Sequence, residues 1–119
     1  MKTINSGDIW TIQDSVGYLR SVHFPSNDIG YAVGKEYKIL KTTNSGEDWI
    51  TLWWLPADDV TINSVYFKDV NNGFIVTGEA SYYSGTIQRT SDGGENWTTV
   101  LETDYNLHSV TFVDEMIGY

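Results

Sequence analysis

The apolar positions alternate with polar ones in short runs, and each run is closed by Gly, Asn, Asp or Ser. In Ser21-Val22-His23-Phe24 the alternation puts Val22 and Phe24 on one face of a strand and His23 on the other. A second strand follows at Tyr31-Ala32-Val33, a third at Lys38-Ile39-Leu40-Lys41-Thr42, and a fourth after Trp49 at Ile50-Thr51-Leu52. The same four signals return at Ser64-Val65-Tyr66-Phe67, Phe74-Ile75-Val76-Thr77, Thr86-Ile87-Gln88-Arg89-Thr90 and, after Trp97, Thr98-Thr99-Val100.

These runs belong to a repeat. Ser21-Val22-His23-Phe24, Ser64-Val65-Tyr66-Phe67 and Ser109-Val110-Thr111-Phe112 are spaced by 43 and 45 residues. Six residues after each Phe stands a glycine and an aromatic: Gly30-Tyr31, Gly73-Phe74 and Gly118-Tyr119. Between them, Lys41-Thr42-Thr43-Asn44-Ser45-Gly46-Glu47-Asp48-Trp49 aligns with Arg89-Thr90-Ser91-Asp92-Gly93-Gly94-Glu95-Asn96-Trp97. A degraded copy runs from Lys2 to Trp10. Four short strands in each unit of 40 to 45 residues are the pattern of β-propeller blades. The expected architecture is all-β. Residues 1–13 end one blade, 19–53 and 62–101 form two complete four-stranded antiparallel blades, and 107–119 begin a further one. Closed propellers need roughly four to eight blades. The chain therefore reads as a piece of a larger propeller, with the rest of that propeller, or a second copy, covering the blade edges.

Composition agrees. Val, Ile and Thr number 33 and the aromatics 17, types that suit a pleated half-buried surface, whereas Ala and Leu number only nine. The net charge of −9 repels phosphate backbones and anionic lipid, so nucleic acid is not an expected partner. No apolar run reaches the ~18 residues of a spanning helix, so no membrane insertion is expected, and no signal peptide is visible. With no cysteine there is no disulfide, thiolate metal site or thiol nucleophile.

Thr90-Ser91-Asp92-Gly93-Gly94-Glu95-Asn96-Trp97 resembles the Asp-box of BNR-repeat propellers, and the whole unit is most similar to the photosystem II stability/assembly-factor-like repeats. The resemblance implies a propeller, a binding or scaffolding role and a secreted, cell-surface or periplasmic setting. It speaks for the fold more than for a site. Its motif residues are Thr42, Asn44, Gly46 and Trp49 in one copy, and Thr90, Asp92, Gly94 and Trp97 in the other. Locally they read as structural. The Thr hydroxyl and Asp carboxylate bond backbone N–H groups across a tight turn, and the glycine takes a conformation other residues resist. Asn44 and Asn5 replace the Asp, and Asp48 and Ile9 replace the Asn or Thr.

In such a blade the Asp-box turns share one end with the loops at 25–29 and 68–72. The other end receives residues 53–59, Lys35-Glu36-Tyr37 and the insertion 79–85. There Trp53, Trp54, Tyr82 and Tyr83 stand where the blade demands no aromatic, beside Asp58, Asp59 and Glu79. Flat apolar faces with carboxylates suit a peptide or a sugar, so a protein or glycan ligand is expected on this face.

Catalytic readings find little. A sialidase-like site needs an arginine cluster, and only Arg20 and Arg89 are present. Glycosidases need two carboxylates roughly 5 to 10 Å apart, and no spacing among Asp58, Asp59, Glu79 and Asp104 singles out a pair. His23 and His108 fall into no metal or triad pattern, and Asp69 to Gly73 lacks the downstream Glu of a calcium loop. The expectation is a non-catalytic binding or scaffolding module without cofactor or metal. The alternative is a carbohydrate-active propeller to which this segment contributes aromatic sugar subsites.

Overall fold

The computed structural model describes residues 2–9, 11, 17–56, 59–79 and 84–119. Eight strands occur among them: β1 (Leu19–His23), β2 (Gly30–Gly34), β3 (Lys38–Thr42), β4 (Ile50–Trp53), β5 (Val60–Phe67), β6 (Gly73–Glu79), β7 (Gly85–Thr90) and β8 (Thr98–Thr103). They make two four-stranded antiparallel sheets, ordered β1-β2-β3-β4 and β5-β6-β7-β8. Within each sheet consecutive strands are neighbours, because connections this short allow little else. β5 starts four residues ahead of the Ser-Val-Tyr-Phe run. Val60, Thr61 and Ile62 are all β-branched and pair with the extended end of β6, Val60 opposite Glu79.

The two sheets carry the same irregularities. The β1–β2 register shifts between Leu19 and Ser21, and the β5–β6 register shifts between Ile62 and Ser64. Opposite β3 and β7, Leu52 and Val100 are the extra residues of β4 and β8. A bulge re-aims the side chain at its extra residue, and Leu52 packs onto the core between the sheets.

That core joins one sheet to the other. Tyr31, Val33 and Ile39 of the first sheet meet Ile62, Val65, Phe67 and Ile75 of the second, with Leu52, Tyr37 and Trp97 packed at its margin. The rings of Tyr31 and Phe67 stack with centroids 3.7 Å apart. The Tyr31 hydroxyl reaches the carbonyl oxygens of Val70 (3.0 Å) and Gly93 (3.1 Å). Burial, reinforced by the charges of Asp69 and Asp92, pushes the Tyr31 hydroxyl up to about 12, so it stays a donor. Along the inner strands, polar side chains of β1 accept backbone N–H groups of β5: Val65 N–H to Ser21 Oγ (3.3 Å) and Phe67 N–H to His23 Nδ1 (3.2 Å). Burial lowers the His23 pKa, in keeping with the neutral imidazole that accepts this bond. Val110 N–H donates to Ser64 Oγ at 3.3 Å, so the next segment docks by the same contact.

Candidate functional site

The two ends of the sheets are built differently. At one end lie the Thr-x-Asp-x-Gly turns. Thr90 Oγ1 donates to Asp92 Oδ1 (2.8 Å) and accepts from Gly94 N–H (3.0 Å), while Asp92 Oδ1 accepts from Asn96 N–H (3.0 Å). The turn at 42–49 repeats this with Thr42 to Asn44 Oδ1 (2.9 Å), Gly46 N–H to Thr42 (2.9 Å) and Asp48 N–H to Asn44 Oδ1 (2.9 Å). The degraded copy does so too, with Thr3 to Asn5 Oδ1 at 2.8 Å, Gly7 N–H to Thr3 at 3.0 Å and Ile9 N–H to Asn5 Oδ1 at 3.0 Å. An amide oxygen thus serves as well as a carboxylate oxygen.

A compensating swap links two of the turns. Asn96 Nδ2 donates to Asp92 Oδ2 (2.9 Å), whereas Asn44 Nδ2 donates to Asp48 Oδ2 (2.8 Å). Each turn keeps one amide and one carboxylate, in opposite order. Each turn also holds two left-handed residues in succession: Gly93 and Gly94, Ser45 and Gly46, Ser6 and Gly7. The indole N–H groups of Trp49 and Trp97 close their turns on Gly46 O (3.2 Å) and Gly94 O (3.1 Å). The Asn96 N–H, the Asn96 amide and the Thr90 hydroxyl together hold the Asp92 carboxyl down at about 2. Both oxygens of this carboxylate accept bonds within its own turn. The loops 25–29 and 68–72 share this end, joined by Ser45 N–H to Asp28 O (2.9 Å) and Gly93 N–H to Asn71 O (3.0 Å).

The opposite end carries the β2–β3 turn at Lys35 to Lys38, closed by Lys38 N–H to Lys35 O (3.2 Å). Its two central residues, Glu36 (φ 59°) and Tyr37 (φ 47°), are both left-handed. Such a turn ordinarily takes Asn-Gly, so Glu-Tyr stores strain of order 1 kcal/mol per residue. The surroundings hold it in place. Leu55 N–H donates to Glu36 O (2.9 Å), Tyr37 N–H donates to Val60 O (3.1 Å), and the Tyr37 hydroxyl donates to Gln88 Oε1. Burial raises the Tyr37 pKa, so that hydroxyl keeps its proton.

Trp53 and Trp54, adjacent in sequence, have separate fates. Trp53 Nε1 donates to Gly94 O (3.2 Å), so its ring spans from β4 to the turn of the second sheet. Trp54 stays 52% exposed; its Nε1 donates to Glu36 Oε2 (2.8 Å) and Lys38 Nζ lies 5.7 Å from its ring centroid. Asp59 is exposed just before β5, and Glu79 ends β6 with its N–H on Ser84 O (3.0 Å). Asp58, Tyr82 and Tyr83 lie outside the described residues. The structure thus brings Trp54 together with Glu36 and Lys38, and it engages Trp53 elsewhere. Glu36 is the site residue that motif reading passes over. Its signal is a two-residue hairpin turn with no Gly or Asn. Among the described residues, no group of three His, Cys, Asp or Glu side chains could hold a metal ion.

No family model matches the chain, and no curated protein matches it. Nine chains among the solved structures do. One is YCF48 bound to a D1 peptide: the TM-score is 0.63 and the identity 22%, over 82% of this chain and 32% of that one. The fold is that of a partial β-propeller. Two blade sheets are complete here, and the chain spans about a third of the YCF48 chain it resembles, 32%.

Proposed function

We propose that this chain is a non-catalytic, protein-binding propeller segment of BNR/Asp-box type, in the manner of the photosystem II assembly-factor-like repeats. Its partner is a peptide segment docking at the end opposite the Thr-x-Asp-x-Gly turns. Residues 19–53 and 62–101 are its two complete blades, and the Asp-box side chains are structural. The carrying observation is Trp54, a large ring that stays 52% exposed while Glu36 fixes its edge. A pre-oriented aromatic loses little entropy on binding and presents a broad apolar face. The fold likeness to a protein captured with a peptide adds weight to a peptide over other ligands. Asp58, Asp59, Glu79, Tyr82 and Tyr83 are assigned to the rim of this surface, and Trp53 to its support.

The test is a calorimetric titration with the D1 peptide of the YCF48 complex. Binding by the 119-residue chain, weakened about tenfold or more by Trp54→Ala at unchanged melting temperature, supports the reading. Trp54→Ala binding as well as the parent would remove Trp54 from the surface. A glycan array with hits abolished by Trp54→Ala, and no peptide binding, would replace the peptide by a sugar.

A further inference from the structure

We propose that the contact between the two sheets carries a pH-sensitive bond: His23 of β1 holds β5 while its imidazole is neutral and releases it on protonation. The inner strands meet through two side chains of β1. Two buried residues of β5, Val65 and Phe67, turn their backbone N–H groups toward β1, onto Ser21 Oγ at 3.3 Å and His23 Nδ1 at 3.2 Å. A ring nitrogen accepts only while it carries no proton, so the imidazole proton stands on Nε2. The ring also lies against Tyr66, with centroids 4.7 Å apart and planes at 40°. Histidine is particular to this copy of the repeat, since Tyr66 and Thr111 stand in its place in the next two. Between β5 and residues 109–112 the serine bond recurs, with Ser64 Oγ accepting from Val110 N–H (3.3 Å). There Tyr66 meets Phe112 ring on ring, with centroids 5.4 Å apart. Of these two contacts, only the one at His23 rests on a group that changes charge near neutral pH.

Protonation removes the acceptor and supplies nothing in return. An imidazolium is a donor at both nitrogens, so the Phe67 N–H would face another N–H in a buried contact. Among the described residues no carboxylate acts on the ring to steady that charge, and burial is the sole cause of its lowered pKa. β2 sets Tyr31 opposite His23, with its hydroxyl committed to Val70 O and Gly93 O. β5 brings Tyr66 and, just beyond its end, Lys68, whose Nζ lies 4.2 Å from the Phe112 ring centroid. In the loop after β1, Asp28 Oδ1 accepts from Ser45 Oγ (3.0 Å). In the loop after β5, both Asp69 oxygens accept from Asn72 Nδ2 (3.1 and 2.9 Å). A base held below its ordinary 6.5 in the fold stabilises the native state in full above that pH. Its contribution is lost as the pH falls through the lower, folded value. Asp69, Asp92 and Asp114 are all held below the ordinary 3.8, outside this window.

Proton–nitrogen NMR of the unaltered 119-residue chain reads the bond itself, from about pH 8 down to about pH 4.5. The Phe67 amide resonance should move with the same midpoint as the His23 ring protons, while the Val65 amide, bonded to Ser21, stays nearly still. The melting temperature should fall by about 4 °C or more between about pH 7.5 and about pH 5. His23→Gln keeps an acceptor that does not titrate and should cut that fall by about half or more. His108→Gln, at the other histidine, should leave the fall as it is in the parent. A Phe67 amide that stays put while His23 titrates would overturn the proposal. So would an imidazole that stays neutral throughout, or a His23→Gln chain whose melting temperature falls as steeply as the parent's.

Discussion

Tyr31 and Tyr119 occupy the same place in the repeat, yet one is fully buried and the other is 79% exposed. Phe67 and Phe24 form a second such pair, at 2% and 40%. In the second pair the local geometry is alike: each phenylalanine covers a glycine and meets a tryptophan edge-on, Phe67 with Trp97 at 6.1 Å and Phe24 with Trp49 at 5.9 Å. What differs is the neighbouring sheet. Apolar residues of this repeat are placed by the strand that carries them, but what they contribute depends on the blade beside them.

Breaking the contact between the two sheets tests that contrast most strongly. Phe67→Ala removes a stacked ring from the shared core and should cost ~3–5 kcal/mol in urea unfolding. Phe24→Ala, at the matched but open position, should cost roughly half of that or less in the isolated chain. Equal losses would mean that the contact between the sheets contributes nothing beyond local packing. A smaller effect is expected where the repeats agree. Thr90→Val leaves the buried Gly94 N–H without an acceptor and should destabilise by ~1–3 kcal/mol, as should Thr42→Val in the first sheet.

The smallest effect sharpens the comparison between turns. The Asp92 carboxyl sits at about 2 in the fold against 3.8 ordinarily. The native state therefore holds it ionised more firmly than the unfolded chain does. Its contribution is present in full above about pH 4 and is lost as the pH falls through about 2. Asp92→Asn should flatten the unfolding profile in that window. Adding Asn96→Asp should restore the amide–carboxylate pair in the order that Asn44 and Asp48 already use. A double variant no more stable than Asp92→Asn alone would show that the swap is without consequence.

Much of this architecture is legible along the chain because it is local. The strands follow from alternation, the turn bonds from Thr90 and Asp92 join residues at most four positions apart, and the step of 43 to 45 residues is the recurrence of those same local signals. Even the degraded turn at Thr3 to Ile9 keeps its three bonds, since Asn5 supplies the same acceptor oxygen. Trp53 and Trp54 were indistinguishable by this logic. Trp53 ends β4 and Trp54 follows it directly, yet one bonds the turn of the second sheet and the other bonds Glu36. Ser21 and Ser64 repeat visibly, but that their hydroxyls accept the next inner strand's N–H emerges only when the sheets are placed side by side.

The sequence by itself determined the units: all-β, four strands apiece, punctuated by turns whose hydrogen bonds close within four residues. Those are short-range bonds and a period of two, and they need no distant partner. The tertiary structure alone decided which rings are buried, which tryptophan ring stays half exposed beside Glu36, and that a Glu-Tyr pair is held left-handed in the β2–β3 turn. Each of those depends on atoms 18 to 62 residues away along the chain, whose approach is set by how one sheet packs on the next.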